Sequence, residues 1–225
     1  MADPPWPRWS KPRGTWDSPT LASPTTPDPP SRPTASTRNA SSPSPRPSAS
    51  LDDIDLYAGN EVDILRNGTL DFDDGTLAQL DYVVASVHAS FNLPEKDMTA
   101  RLIKAMENPH VTMLGHLSGR LLLRRDPYAV NHEKIIDCAA ETGTVIELNC
   151  SSKRMDMDWR WWRRARDKGV KCSLNPDAHH ARGLQNLHFG IRVARKGWLR
   201  RQDVLNCLPA EDIRKWLQTP KAKRL

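Results

Sequence analysis

The chain lacks any run approaching the ~18 apolar residues that a membrane-crossing helix needs, and its amino terminus lacks the apolar core of a signal peptide. The sequence therefore predicts a cytoplasmic protein without a membrane partner. Cysteine is sparse: Cys138, Cys150, Cys172 and Cys207 lie far apart with no CxxC pair. That spacing excludes a zinc knuckle and argues against a disulfide frame, so the four read as reduced core thiols. Aliphatic residues are nearly missing from residues 1–50, where Pro, Ser, Thr and Arg dominate. Such a segment cannot offset the entropy of ordering, and residues 1–50 are expected to be disordered and of low complexity.

What is present begins at Leu51. The hydrophobic fraction of 38% and mean hydropathy of −0.64 average two unlike segments, and the 225 residues leave room for one domain with a tail. A net charge of +6 admits an anionic partner such as nucleic acid, although ordinary solubility charge explains it equally well. Short apolar runs, IDLYAGNEVDIL, DYVVASVH, VTMLGH, TVIELNC and VKCSLNPDAHH, read as strands. Between them, residues 94–107, 132–141 and 158–168 carry helical patterns, with Gly143 and Gly169 placed as helix stops. Residues 184–197 and 210–217 supply closing helices. Strand and helix alternating with short connections argue for parallel βαβ units.

Ligand-type residues fall at corresponding places in these units. Glu61 follows LYAGN, His88 ends DYVVASVH, His116 ends VTMLGH, and Asp177 with His179 end VKCSLNPDAH. In a β/α barrel the carboxyl ends of the strands converge on one face, so such residues can meet around a metal. A single histidine is more often a hydrogen-bonded structural residue, and their joint placement is what carries the argument. His110, His132, His180 and His188 fall outside this pattern and read as bland. Imidazole and carboxylate suit zinc, manganese or iron, and a bridging carboxylate such as Glu61 can hold two ions close enough to activate water for phosphoryl displacement. The cluster DWRWWRRAR admits two readings, a platform for single-stranded DNA or, favoured, a helix burying one tryptophan face.

The strings GNEVDIL, DYVVASVH, MTARLIKAMENPHVTMLGHLSGRLLLRR, ETGTVIELN and NPDAH, with the tail GIRVARKGWLRRQDVLNCL, resemble the PHP (polymerase and histidinol phosphatase) domain of bacterial family-X DNA polymerases in order and spacing over residues 51–217. The resemblance implies an α/β fold, a distorted (β/α)7 PHP barrel, binding up to three divalent ions, manganese or zinc. It also implies 3′-5′ exonuclease or 3′-end processing activity in DNA repair. Carried over, Glu61, His88, His116, Asp177 and His179 are metal ligands, with Glu61, His88 and Asp177 catalytic. Glu147 matches no ligand and reads as a polar strand-end residue. Arg120, Arg124, Arg125 and Arg154 would face DNA phosphates from loops on the same side. The implied partners are DNA 3′ ends and gapped repair intermediates, a polymerase core on the intact gene product, and the nucleoid.

The family pattern opens with an HxH strand and a DHS-type motif, and this chain has no histidine upstream of Glu61. Residues 51–225 are accordingly expected to form a partial PHP domain, truncated at its first strands and weakly active or inactive. Read in a shifted frame with allowable third bases, MADPPWPRWSKPRGTWDSPTLASPTTP can encode GGPTMAEMEQAARHLGLAYLGIADHS, which resembles the missing segment. A frameshifted reading of residues 1–50 is thus expected, with a genuine Pro-rich tail as the alternative. The rival functions are a histidinol-phosphatase-like phosphomonoesterase and a degenerate, non-enzymatic PHP fragment.

Overall fold

The computed structural model describes residues 55–224. The disordered, frameshifted reading of residues 1–50 lies outside these residues. Five strands, β1 (Gly59–Asp63), β2 (Tyr82–Ser86), β3 (Met113–Leu114), β4 (Val145–Asn149) and β5 (Cys172–Asn175), form one sheet in sequential order. Every neighbouring pair is parallel. The crossovers carry α1 (Asp74–Leu77), α2 (Glu95–Glu107), α3 (His132–Thr142) and α4 (Trp159–Asp167). After β5 come α5 (Leu187–Lys196) and α6 (Ala210–Gln218). No helix among the described residues is long and apolar enough to cross a membrane.

Local chemistry sets these bounds. Asn131 and Asp158 cap α3 and α4 by accepting from the backbone N–H of Lys134 and Arg160. Gly143 ends α3 in the left-handed region at φ 69°, where a side chain would be strained. The closing helix read over residues 184–197 is divided: a 3-10 segment, Ala181–Asn186, precedes α5. His180 accepts from the N–H of Gly183 and tightens that first turn.

Parallel strands in sequential order, joined by crossovers of one hand, leave their helices on the same side of the sheet. Consistently, α2 packs on α3, α3 on α4 and α4 on α5, an arrangement like the wall of a β/α barrel. The two-residue period of the strands then sorts the side chains. Val62, Val83, Ala85, Leu114, Ile146, Leu148 and Cys172 are buried on the helix side with Met98, Leu102, Ile135, Ile136 and Trp162. The tryptophan-rich α4 follows the buried-face reading: Trp162 is 0% exposed and donates Nε1–H to the Met157 carbonyl at 3.2 Å.

The opposite face is divided lengthwise. Near the strand starts, Met113 and Val145 form an apolar plug with Leu205, against which Tyr82, Val84, Leu208 and Trp216 pack. Further along lie Asp63, Ser86, Glu147, Asn149, Ser173 and Asn175, while Glu61 stands level with Val84, Met113 and Val145 at the border between the two halves. This polar half adjoins the carboxyl ends of the strands.

Candidate metal centre

Glu61 sits within β1, while His88 and His116 follow the ends of β2 and β3. Because β1, β2 and β3 are adjacent, the three side chains converge. His116 Nε2 lies 3.2 Å and His88 Nε2 3.5 Å from the same Glu61 oxygen. The imidazoles meet edge to face at 5.1 Å, and one ligand atom from each of the three residues falls within 4.8 Å of the others. Gly115 makes room for this approach, since a Cβ there would lie 2.2 Å from Ser86 Oγ.

Both imidazoles are held from behind. Asp63, two residues along β1 from Glu61 and on the same face, makes a short contact with His88 Nδ1 and directs Nε2 inward. The backbone N–H of His116 donates to Glu147 Oε2 at 2.5 Å. Glu147 also accepts from Asn149 at 3.3 Å and Asn175 at 2.9 Å. The reading of Glu147 as a mere strand-end residue is thus corrected: it is buried in the middle of β4 and fixes the backbone of His116. Arg101, buried on α2, donates to the Ile64, Leu65 and Ala89 carbonyls, tying the segments that follow Glu61 and His88. Sequence reasoning missed Asp63 and Arg101, although the Glu61–Asp63 spacing is the two-residue period of one strand face.

The electrostatics match this wiring. Hydrogen bonds from His116 and then His88 hold the Glu61 carboxyl far below its usual range. The Glu61 contact, reinforced by Asp63, lifts the His88 imidazole to about 9 against the drag of burial. Burial pushes the Glu147 carboxyl up, opposed by His116. His116 is 3% exposed, and its buried Nδ1 has no hydrogen-bond partner among the described residues. Two imidazoles, one of them with an orphaned ring nitrogen, and one carboxylate fit a divalent cation.

Of the five predicted ligands, the structure joins Glu61, His88 and His116. Asp177 and His179 pair with each other instead, Nε2 to Oδ1 at 3.3 Å, and stand outside the three-residue group. Asp177 is linked toward the group through Asn149, which donates to it at 3.0 Å and contacts Glu147. Among the predicted phosphate-binding arginines, Arg120 is committed to Asp158 at 2.8 Å and to the Arg154 and Met155 carbonyls. Arg125 donates to the Gly119 carbonyl and stacks over Phe91. Arg124 is exposed, and with Arg120 and Arg125 it lines a cavity of about 410 Å³. Arg154 Nε contacts Asp177 at 3.3 Å, while its buried Nη1 has no hydrogen-bond partner among the described residues.

The sequence is 38% identical over 170 residues to the DNA polymerase/3′-5′ exonuclease PolX of Bacillus subtilis, covering 76% of this chain and 30% of that protein. It is 28% identical over 183 residues to a probable phosphatase of Thermoanaerobacter sp., covering 77% of this chain and 72% of the relative. A probable phosphatase of Clostridium acetobutylicum is 30% identical over 136 residues, or 56% of this chain and 53% of the relative. No family model matches the chain. The chain thus spans under a third of the PolX relative, and these matches bear out the resemblance to the PHP-type segment of family-X polymerases.

Proposed function

We propose that this PHP-like chain is a divalent-metal-dependent phosphoesterase acting on DNA 3′ ends, as a module of a family-X polymerase engaged in repair at the nucleoid. The observation that carries the reading is the convergence of Glu61, His88 and His116 from three adjacent parallel strands. Similarity to a relative named as a 3′-5′ exonuclease supports the reaction and the substrate. The wall-like strand order agrees with an arc of the (β/α)7 PHP barrel.

Glu61, His88 and His116 would hold manganese or zinc, and a bound ion would supply an activated water and charge stabilisation at phosphorus. Asp63 keeps the His88 ring turned inward, and Glu147 keeps the His116 backbone in place. Asp177 and His179 complete the proposed ligand set, up to the three ions of the intact family. The free N–H of Arg154 is suited to a phosphate oxygen, with Arg124 and Arg125 further out along the DNA.

A second reading, a small-molecule phosphomonoesterase, draws on the probable phosphatase of which the chain covers 72%. The purified chain should be given Mn2+ with either 3′-labelled DNA or a simple aryl phosphate. Weak nucleotide release from DNA, in keeping with a partial PHP domain and lost in EDTA and in His88→Ala, is expected. Monoester cleavage alone would select the second reading. No turnover, together with no bound metal, would leave a degenerate fragment and end the proposal.

A further inference from the structure

We infer that the outer surface of α4 and the end of α5 is a binding site for single-stranded nucleic acid, separate from the metal centre. The two helices are brought together by Gly197, where a Cβ would lie 2.7 Å from Trp162 Cβ and 3.1 Å from the Trp159 carbonyl. Lys196 Nζ sits over the Trp159 ring at 4.5 Å, and Arg160 lies 5.0 Å from the same ring. Arg166 donates to the Trp198 carbonyl at 2.9 Å. The surface is therefore continuous from one helix to the other.

Its charge is lopsided. Within residues 159–168 and 192–201 the only acidic residue is Asp167, and Arg163 and Arg166 contact it. Arg192, Arg195 and Lys196 are exposed and pair with no carboxylate among the described residues. On α4, Arg160 pairs with Asp158, Arg164 with Glu133 and Asp137, and Lys168 with Asp137, so the uncompensated charge is that of Arg192, Arg195 and Lys196, and three such cations on one helix favour a polyanion.

Trp198 narrows the class of polyanion. It is 64% exposed and holds φ at 64°, a left-handed conformation rare for a bulky side chain, while its neighbour Leu199 is buried. This exposed indole, two residues from Lys196 and from Arg200 and with its carbonyl held by Arg166, offers a stacking surface, and only unpaired bases present a free face to it. Duplex DNA or an acidic protein would satisfy the charge and leave Trp198 unused.

The test is fluorescence anisotropy of a labelled oligo(dT) with the full chain in EDTA, so that its outcome is independent of the metal centre and of the proposed reaction. Binding should weaken with salt, and Trp198→Ala should lower affinity by about 5- to 150-fold, the range for losing one base stack. Trp198→Phe should retain most of the affinity. Reversing Arg192, Arg195 and Lys196 to Glu should reduce the log–log salt slope by about 2. Wild-type affinity in both Trp198→Ala and the charge-reversed chain would overturn the inference. So would competition by duplex DNA or poly-glutamate as effective as that by unlabelled oligo(dT).

Discussion

His88 stands between two carboxylates, Glu61 on its inner nitrogen and Asp63 on its outer one. The outer contact fixes the tautomer and the direction of the ring, a role whose loss typically costs 10- to 100-fold in metal affinity. Asp63→Asn is expected to weaken Mn2+ binding by about that factor, read by titration calorimetry, with little change in melting temperature. The pH response follows from the His88 imidazole, lifted to about 9 by Glu61 and Asp63. A cation has to displace that proton, so affinity should climb with pH and level off above about 9. In the metal-free chain, a pKa raised on folding contributes stability below the ordinary value of 6.5, and that contribution is lost as pH rises through about 9. Melting curves of the metal-free chain should show this decline, and His88→Ala should remove it. Glu61 acts in the opposite sense: its depressed carboxyl stabilises the fold above the ordinary 4.5, and the effect fades as acid protonates it.

At the scale of elements, α2 is more than a crossover between β2 and β3. Its buried Arg101 satisfies carbonyls in the segments leaving β1 and β2, so one side chain aligns the two strand ends that carry Glu61 and His88. Arg101→Leu would leave buried carbonyls unpaired, and a loss of about 2–4 kcal/mol is expected in urea denaturation. Mn2+ affinity should fall with it, whereas a lysine, reaching one carbonyl rather than several, should restore only part of either property.

Most elements were legible in the chain because their punctuation is local. Asn131, Asp158, Gly143 and Gly169 mark helix ends by their own chemistry, and the alternation in β1 and β2 is visible in a few residues. The convergence of Glu61, His88 and His116 was legible for the same reason, since each follows or lies within an identifiable strand. Glu147, Asp63 and Arg101 were not, because their roles depend on register and on contacts across 25 to 37 positions. Asp177 and His179 show the converse: position at a strand end was readable, but their pairing with each other was not.

For the whole molecule, the inner face of the sheet divides its tasks along its length. The apolar plug beneath the polar half is closed by Leu205, Leu208 and Trp216, all contributed by the last segment of the described chain. Deleting residues 204–225 should uncover Val84, Met113 and Val145 and raise dye binding to exposed apolar surface. An unchanged dye signal in the shortened chain would contradict this account of the plug.

The hydrogen bond from His116 to Glu147 also bears on the order in which the protein is made. Glu61, His88 and His116 leave the ribosome before β4 does, so a nascent chain holds these side chains while the carboxylate that fixes the His116 backbone is still to emerge. A metal ion meeting that chain would find His116 without its backbone anchor, which arrives only with Glu147, and Asp177 and His179 of the proposed set emerge later still.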